Sequence, residues 1–328
     1  IDTYFDSAKE EEAFREGFLG DTLTMMQRDG KQMLLPIDIN VSLLYYNKTL
    51  FQEANIELPT ADWTYDDFIT AGQKLTVKEN DGYKQWGCST TGGWWGEYLI
   101  YVRQAGGDFY LDDGVTPAVD TAAFKEGIKF YKDKTVAGEY GFSPNPDDTA
   151  IGHGNLGGFI SRKTAMEFGG HIGNWPSYNA LEGFDWDVAE LPTPAGKPDA
   201  KGAELAASGY GIYTGSENKE EAFRLLMYFF SEKGQSMLGA SGKLIPTQSY
   251  KEMVLSIPRE ERNNPQNMEA AFNQIEKAVA LPVNPHFEAS ACAPVCNELT
   301  RYLNGVITLD QFAANAKSAI EDLVATLN

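Results

Sequence analysis

At 328 residues the chain is longer than a single hydrophobic core usually grows, so two lobes are the default expectation. An apolar fraction of 42% and an aromatic fraction of 12% exclude general disorder. The net charge of −20, with no basic face visible, excludes nucleic acid as a partner and weakens any case for a ligand gathered by long-range attraction to anions.

The opening stretch to Leu23 is acidic and helix-like. IDTYFDSAKEEEAF carries no signal-peptide pattern and reads as the start of a mature or trimmed product. Asp29-Gly30-Lys31 marks a tight turn before a strand. In LPIDINVSLLYYNKTLF, residues 35–51, Pro36 cannot donate a backbone hydrogen bond, and Asp38 and Asn40 sit among apolar neighbours. Residues 43–46 form a bulky run that fits a buried strand, Asn47 breaks it, and residues 48–55 read as a helix. A polar break inside apolar strand material predicts a crossing between two bodies of the protein.

Thr64-Tyr65-Asp66-Asp67 has the form of a capping box, with Phe68, Ala71 and Leu75 on one face of the helix behind it. From Cys88 to Gly107, glycine and tryptophan interleave. A second helix starts near Thr121, with Phe124, Ile128 and Tyr131 at helical spacing. Residues 158–170 read as helix, turn and a short strand ending in paired glycines; residues 171–178 read as a loop carrying Trp175. DWDVAELP, residues 185–192, is a strand running into a proline-rich turn. ASGYGIYTGS is strand material with Gly209 and Gly211 where side chains are unwanted. Ser216 is placed to cap a helix bearing Phe223, Met227 and Phe230. Thr308 to Gln311 repeats the capping-box pattern ahead of Phe312, Ala316, Ala319 and Leu323. No repeat of fixed period is visible. Strands alternate with helices throughout, which predicts α/β architecture with sheets covered by helices.

Enzyme signatures fail. GASGKL at 239–244 has the Gly-Lys of a phosphate loop without its earlier glycine spacing or its Ser/Thr, and Gly209-Tyr210-Gly211 lacks the third glycine of a dinucleotide fingerprint. There is no G-x-S-x-G and no H-E-x-x-H. His153, His171 and His286 are far apart, and a lone histidine beside glycines is more often a satisfied loop residue than a catalyst. Asp185 and Asp187 share a strand face and could mimic a carboxylate pair, although solvated strand-edge charges are the blander reading. The glycosylation patterns at Asn40 and Asn47 fall in strand or hinge material and are discounted. Cys88, Cys292 and Cys296 allow one disulfide and a free thiol, with three reduced, buried, inert thiols as the ordinary alternative. No cofactor and no metal site is expected.

Aromatics instead cluster in segments that read as loops: Trp94, Trp95, Trp175, Tyr178 and Phe287. Glycines flank them in GGWWG and GGHIGNW, and glycine lets backbone and flat rings come close to a ligand. Sugars present an apolar face of C–H bonds and an edge of hydroxyls. Their sites want rings to stack on and polar groups around the rim. Asp38, Asn40, Glu97, Asn174 and Arg103 are the candidate rim groups.

Residues 29–76, DGKQMLLPIDINVSLLYYNKTLFQEANIELPTADWTYDDFITAGQKLT, resemble the signature region of extracellular solute-binding proteins of sugar ABC transporters, the maltose-binding-protein-like family. SRKTAMEFGGHIGNW, FDWDVAELPTP, SENKEEAFRLLMYFFSEKGQ and NGVITLDQFAANAKSAIEDL are similar to later family segments in the same order, so the resemblance covers essentially the whole chain. It implies a periplasmic-binding-protein-like fold of two α/β lobes joined by hinge strands, with the ligand in the cleft between them. The N-terminal lobe would hold residues 1–40 and 207–257, the C-terminal lobe 41–206 and 258–328, with crossings near 37–42, 206–209 and 256–265. The family's usual opening strands and helices have no counterpart before the Gly-Lys turn, so the first lobe is expected to be incomplete. By the same resemblance Trp175 is the stacking aromatic and Asn40 lies at the cleft floor. Gly93 to Trp95 supply another ring, and His286 and Phe287 a further contact.

The function implied is non-enzymatic: binding of a sugar or oligosaccharide outside the membrane and its delivery to the permease subunits of an ABC transporter. A monomer is expected, periplasmic or extracellular, with a lipid anchor ahead of residue 1 left open. The alternatives are another small polar solute on the same fold, a phosphorylated polyol or a polyamine, and, further off, a glycoside hydrolase using Asp185 and Asp187.

Overall fold

In the computed structural model, which describes Phe5 and residues 7–90, 94–145 and 155–327, the acidic opening forms helix α1 (Ala8–Glu16), capped by the Ser7 hydroxyl. Gly93 and His153 lie outside the described residues. The helix ends at Gly17, short of Leu23, and a 3-10 turn leads into the hairpin β1 (Gln27–Arg28) and β2 (Lys31–Gln32). Asp29 and Gly30 both take positive φ, 51° and 72°, the backbone a two-residue hairpin turn requires.

The apolar run at 35–47 then makes two strands that join different sheets. β3 (Leu35–Val41) and β4 (Leu43–Asn47) are separated only by Ser42. β3 pairs antiparallel with β9 (Ala203–Tyr210), which pairs in parallel with β10 (Ala278–Ala280). The β3–β9 register shifts between Pro36 and Asp38, beside the residue that has no N–H to give. β4 lies in a five-stranded sheet with β5 (Val77–Glu79), β6 (Gly82–Cys88), β7 (Thr164–Gly170) and β8 (Trp186–Ala189), in the order β5-β6-β7-β4-β8. Every residue of β4 and β7 is buried, as the near-continuous bulk of those segments requires.

Helices cover both sheets. α2 (Lys48–Glu53), α3 (Tyr65–Leu75), α4 (Trp95–Gln104), α5 (Ala122–Asp133), α6 (Asn155–Ile160) and α7 (Trp175–Asn179) come first in the chain. α8 (Lys219–Tyr228), α9 (Glu232–Ala240), α10 (Gln248–Leu255), α11 (Met268–Glu276), α12 (Phe287–Ala291), α13 (Ala293–Leu303) and α14 (Leu309–Leu327) follow. Both capping boxes form: Thr64 Oγ1 accepts from Asp67 N while Asp67 accepts from Thr64 N, and Thr308 exchanges the same pair of bonds with Gln311. Ser216 does not cap α8. Its hydroxyl accepts from Asn218 N two residues on, and the helix begins only after Asn218. Among the described residues no helix is long and apolar enough to cross a membrane.

The main core gathers the five-stranded sheet, its helices and α10 to α14, including Phe68, Tyr98, Phe124 and Trp186. A smaller cluster of Leu23, Leu35 and Leu226 is ringed by Phe14, Phe18, Met227 and Phe230. Leu35 belongs to the small cluster and Ile39 and Val41 to the large one, so β3 runs from one apolar centre to the other.

Candidate ligand cleft

The paired strands β3 and β9 floor a cavity of about 300 Å³. Asn40 stands opposite Ala206, and Asp38 opposite Ser208. The Asn40 amide oxygen accepts from Ile172 N at 2.8 Å, and its Nδ2 is buried with no partner among the described residues. Asp38 is paired with the Lys243 ammonium, whose side chain keeps 48% of its surface exposed. His171 Nε2 lies 3.1 Å from a Glu204 carboxylate oxygen, and the Trp94 ring packs 4.8 Å from the imidazole.

One wall is set by the end of β7. Gly169 has φ +79°, and a Cβ there would stand 2.9 Å from Ile100 Cδ1, so the paired glycines let the chain turn out of the sheet tight against α4. A 3-10 turn at Ile172–Asn174 follows, then α7 with Trp175 at its first position. The expected loop is thus two short helical turns. Trp175 is in the wall of a second cavity of about 480 Å³, a size suited to a small ligand. Pro176, Tyr250, Val254, Ile257 and Met268 make its apolar side, and Arg262, Asn263 and Asn264 its polar side. Gly242 borders both cavities with φ +85°, and a Cβ on it would sit 2.7 Å from Pro176 Cγ. Lys243 borders both as well, so the two cavities lie side by side and are together termed the groove.

Only 5% of Trp175 is exposed. Its indole Nε1 donates to the Tyr45 hydroxyl at 2.6 Å. Tyr45 lies opposite Glu167 in the β4–β7 register, and Glu167 Oε2 accepts from the Tyr178 hydroxyl at 2.5 Å. Burial pushes the Glu167 carboxyl up to about 8, against the opposing pull of that hydrogen bond. Tyr45 and Tyr178 are raised too, first by burial and then by the Glu167 charge.

Residues 1–236 match the sequence profile described as bacterial extracellular solute-binding protein. The chain belongs to that family. Among curated members, a binding protein of Brucella abortus strain 2308 is 25% identical over 238 residues, 71% of this chain and 55% of the relative. The chain therefore matches only about half the length of that relative. Among solved structures, an ABC substrate-binding protein of Listeria monocytogenes in complex with cycloalternan superposes with TM-score 0.77 at 22% identity, covering 94% of this chain and 76% of the other. The maltose/maltodextrin-binding domain of Bdellovibrio bacteriovorus, bound to maltotriose, gives TM-score 0.71 at 21% identity over 95% and 78%. The architecture is that of the two-lobed α/β binding proteins.

Within this solute-binding fold the groove gathers Trp175, Asn40 and Asp38. Trp94 reaches its edge through His171, and Asn174 turns its amide to the Tyr178 hydroxyl at 3.4 Å. Other expectations are corrected. Trp95 and Phe287 are not loop rings open to a guest. They begin α4 and α12 and pack edge-on at 5.3 Å, with Phe109 behind Phe287 at 5.2 Å. His286 precedes α12, half-buried, in the wall of neither cavity. Glu97 is no rim group: it is fully buried and paired with Lys134, whose ammonium also donates to Ser89 O at 2.8 Å. Arg103 is spent on Asp108 and on the Val279 and Ala280 carbonyls.

Asp185 and Asp187 are held by different partners. Asp185 bonds Lys48 at 2.7 Å, while buried Asp187 pairs with Arg259 and accepts from Val188 N and Asn267 N. All three cysteines are free; Cys88 is buried, but Cys292 is exposed and Cys296 half-buried. Sequence reasoning missed Glu204, Lys243 and residues 262–265. GASGKL, which fits no phosphate loop, borders the groove through its glycines and lysine.

Proposed function

We propose that the groove binds a sugar or short oligosaccharide, and that the whole protein works outside the cell membrane, handing its solute to ABC-transporter permease subunits without catalysis. The observation that carries this reading is an aromatic wall, Trp175, beside a polar floor in which the Asn40 amide keeps a buried donor with no partner among the described residues. A ring face and hydrogen-bonding groups side by side suit a ligand with C–H faces and hydroxyl edges. The cations at the groove are already matched by carboxylates, Lys243 by Asp38 and Arg262 by Glu269. With those cations matched and Glu261 adding a carboxylate to the lining, the groove disfavours a phosphorylated polyol. Relatives bound to maltotriose and to cycloalternan give the sugar class a starting point.

Closure in this reading is a hinge motion about β3 and β9, with the crossings at 37–42, 206–209 and 256–265 and the lobe boundaries given above. The contact of Gly242 with Pro176 is the seam that opens to bare the Trp175 ring. Calorimetric titration with maltotriose, cycloalternan, a monosaccharide, a polyol phosphate and a polyamine tests the class. Trp175→Ala is expected to weaken sugar binding by ~1–3 kcal/mol, the scale of aromatic stacking on flat ligands, and, because the nearly buried ring leaves a cavity, to lower stability by about 3–5 kcal/mol as well. Heat released by the phosphate or the polyamine, with none from the sugars, would overturn the sugar reading.

A further inference from the structure

We propose that Glu167 is a positioning residue for Trp175, fixing the ring through its hydrogen bond with Tyr178 and from its place opposite Tyr45 on the β4–β7 ladder. The inference rests on the reading of Trp175 as a ligand-facing ring, and it concerns how that ring is held.

One hydrogen bond and one ladder pairing lead from the carboxyl to α7. Oε2 accepts from the hydroxyl of Tyr178, a residue of α7 itself, and the Asn174 amide reaches the same hydroxyl just ahead of the helix. Across the ladder Glu167 faces Tyr45, the acceptor for the Trp175 indole N–H. The other carboxyl oxygen, Oε1, is buried and has no partner among the described residues. An ionised carboxylate has room for about four hydrogen bonds. Here the Tyr178 hydroxyl is the bonded donor, and Tyr45, which lies opposite on the ladder, is the group that holds the indole.

The other titratable groups facing this carboxyl are Glu97 on α4, which is neutralised by Lys134, and Cys88 on β6, whose thiol burial pushes up to about 12. Neither offers a positive charge to Glu167 alone. Burial holds the Glu167 carboxyl up to about 8, so the acid is neutral at neutral pH and ionises in mild alkali. On ionisation the charge pulls on the Tyr178 hydroxyl of α7 and on the Tyr45 hydroxyl that accepts the indole N–H, so the setting of the Trp175 ring changes with it.

The test reads the ring directly and needs no ligand. In a ¹H–¹⁵N spectrum of the intact chain the Trp175 indole resonance is assigned by its absence from Trp175→Phe. It is then followed from pH 6 to pH 10 in the parent, in Glu167→Gln and in Tyr45→Phe. The expected result is a shift with midpoint near pH 8 in the parent, which the uncharged, isosteric Gln abolishes and which Tyr45→Phe reduces by removing the acceptor. A resonance that does not move, or that moves identically in Glu167→Gln, overturns the proposal. Maltotriose affinity over the same pH range is a separate readout: a titrating indole with no sugar binding would leave the positioning in place and remove the sugar reading instead.

Discussion

Lys134 and Glu97 form a fully buried ion pair, with the Tyr101 and Tyr131 rings 5.8 and 5.1 Å from the ammonium. Removing one partner strands the other charge in a medium that cannot solvate it. Glu97→Ala is therefore expected to cost about 3–5 kcal/mol of stability. Denaturant midpoints of parent and variant check this, and an unchanged midpoint would mean that water reaches Lys134. At this scale the sequence was only half legible. Trp95 and Trp175 both follow glycine-bearing stretches and are both nearly buried, yet one packs on Phe287 and the other borders the groove. What separates them is which distant segment arrives beside each ring, and nothing local to either encodes that. Asn40 was readable because a lone amide in an apolar strand has few other reasons to be there.

Elements were legible where their signals are local. Thr64 and Thr308 satisfy backbone N–H groups three residues away, so pattern and outcome coincide. Ser216 failed because its hydroxyl is spent on Asn218 N before the helix starts. The 239–243 segment was illegible because its place in the cavity wall depends on Pro176, more than sixty residues earlier. Its test is a pair of glycine substitutions. Gly30→Ala and Gly242→Ala both force alanine to positive φ, but a Cβ at 30 meets nothing within 4 Å, whereas one at 242 meets Pro176 at 2.7 Å. Both should lose about 1 kcal/mol for the backbone, and Gly242→Ala about 1–3 kcal/mol more for the collision. Equal losses in thermal unfolding would mean the seam relaxes freely.

For the whole molecule, the α/β plan was legible from alternating strands and helices, and its two lobes from chain length, the polar break within residues 35–51 and the family resemblance. The buried acid between the strands was not, since Glu167 in TAMEFGG is an ordinary letter until Tyr45 and Tyr178 close over it. Its consequence is global. The Glu167 pKa rises from 4.5 to about 8 on folding, so between those values the folded chain binds a proton that the unfolded chain has released. Stability contributed by this group is full below pH 4.5, falls as pH rises towards 8, and levels off above it, with a total on the order of a few kcal/mol. Many carboxylates in a chain of charge −20 also titrate, so the informative quantity is the difference between parent and Glu167→Gln. Urea unfolding at pH 5, 6.5, 8 and 9 should show Glu167→Gln gaining on the parent up to pH 8 and holding a constant lead beyond it. Parallel curves across that range would mean the carboxyl ionises in place at little cost, through water that reaches Oε1.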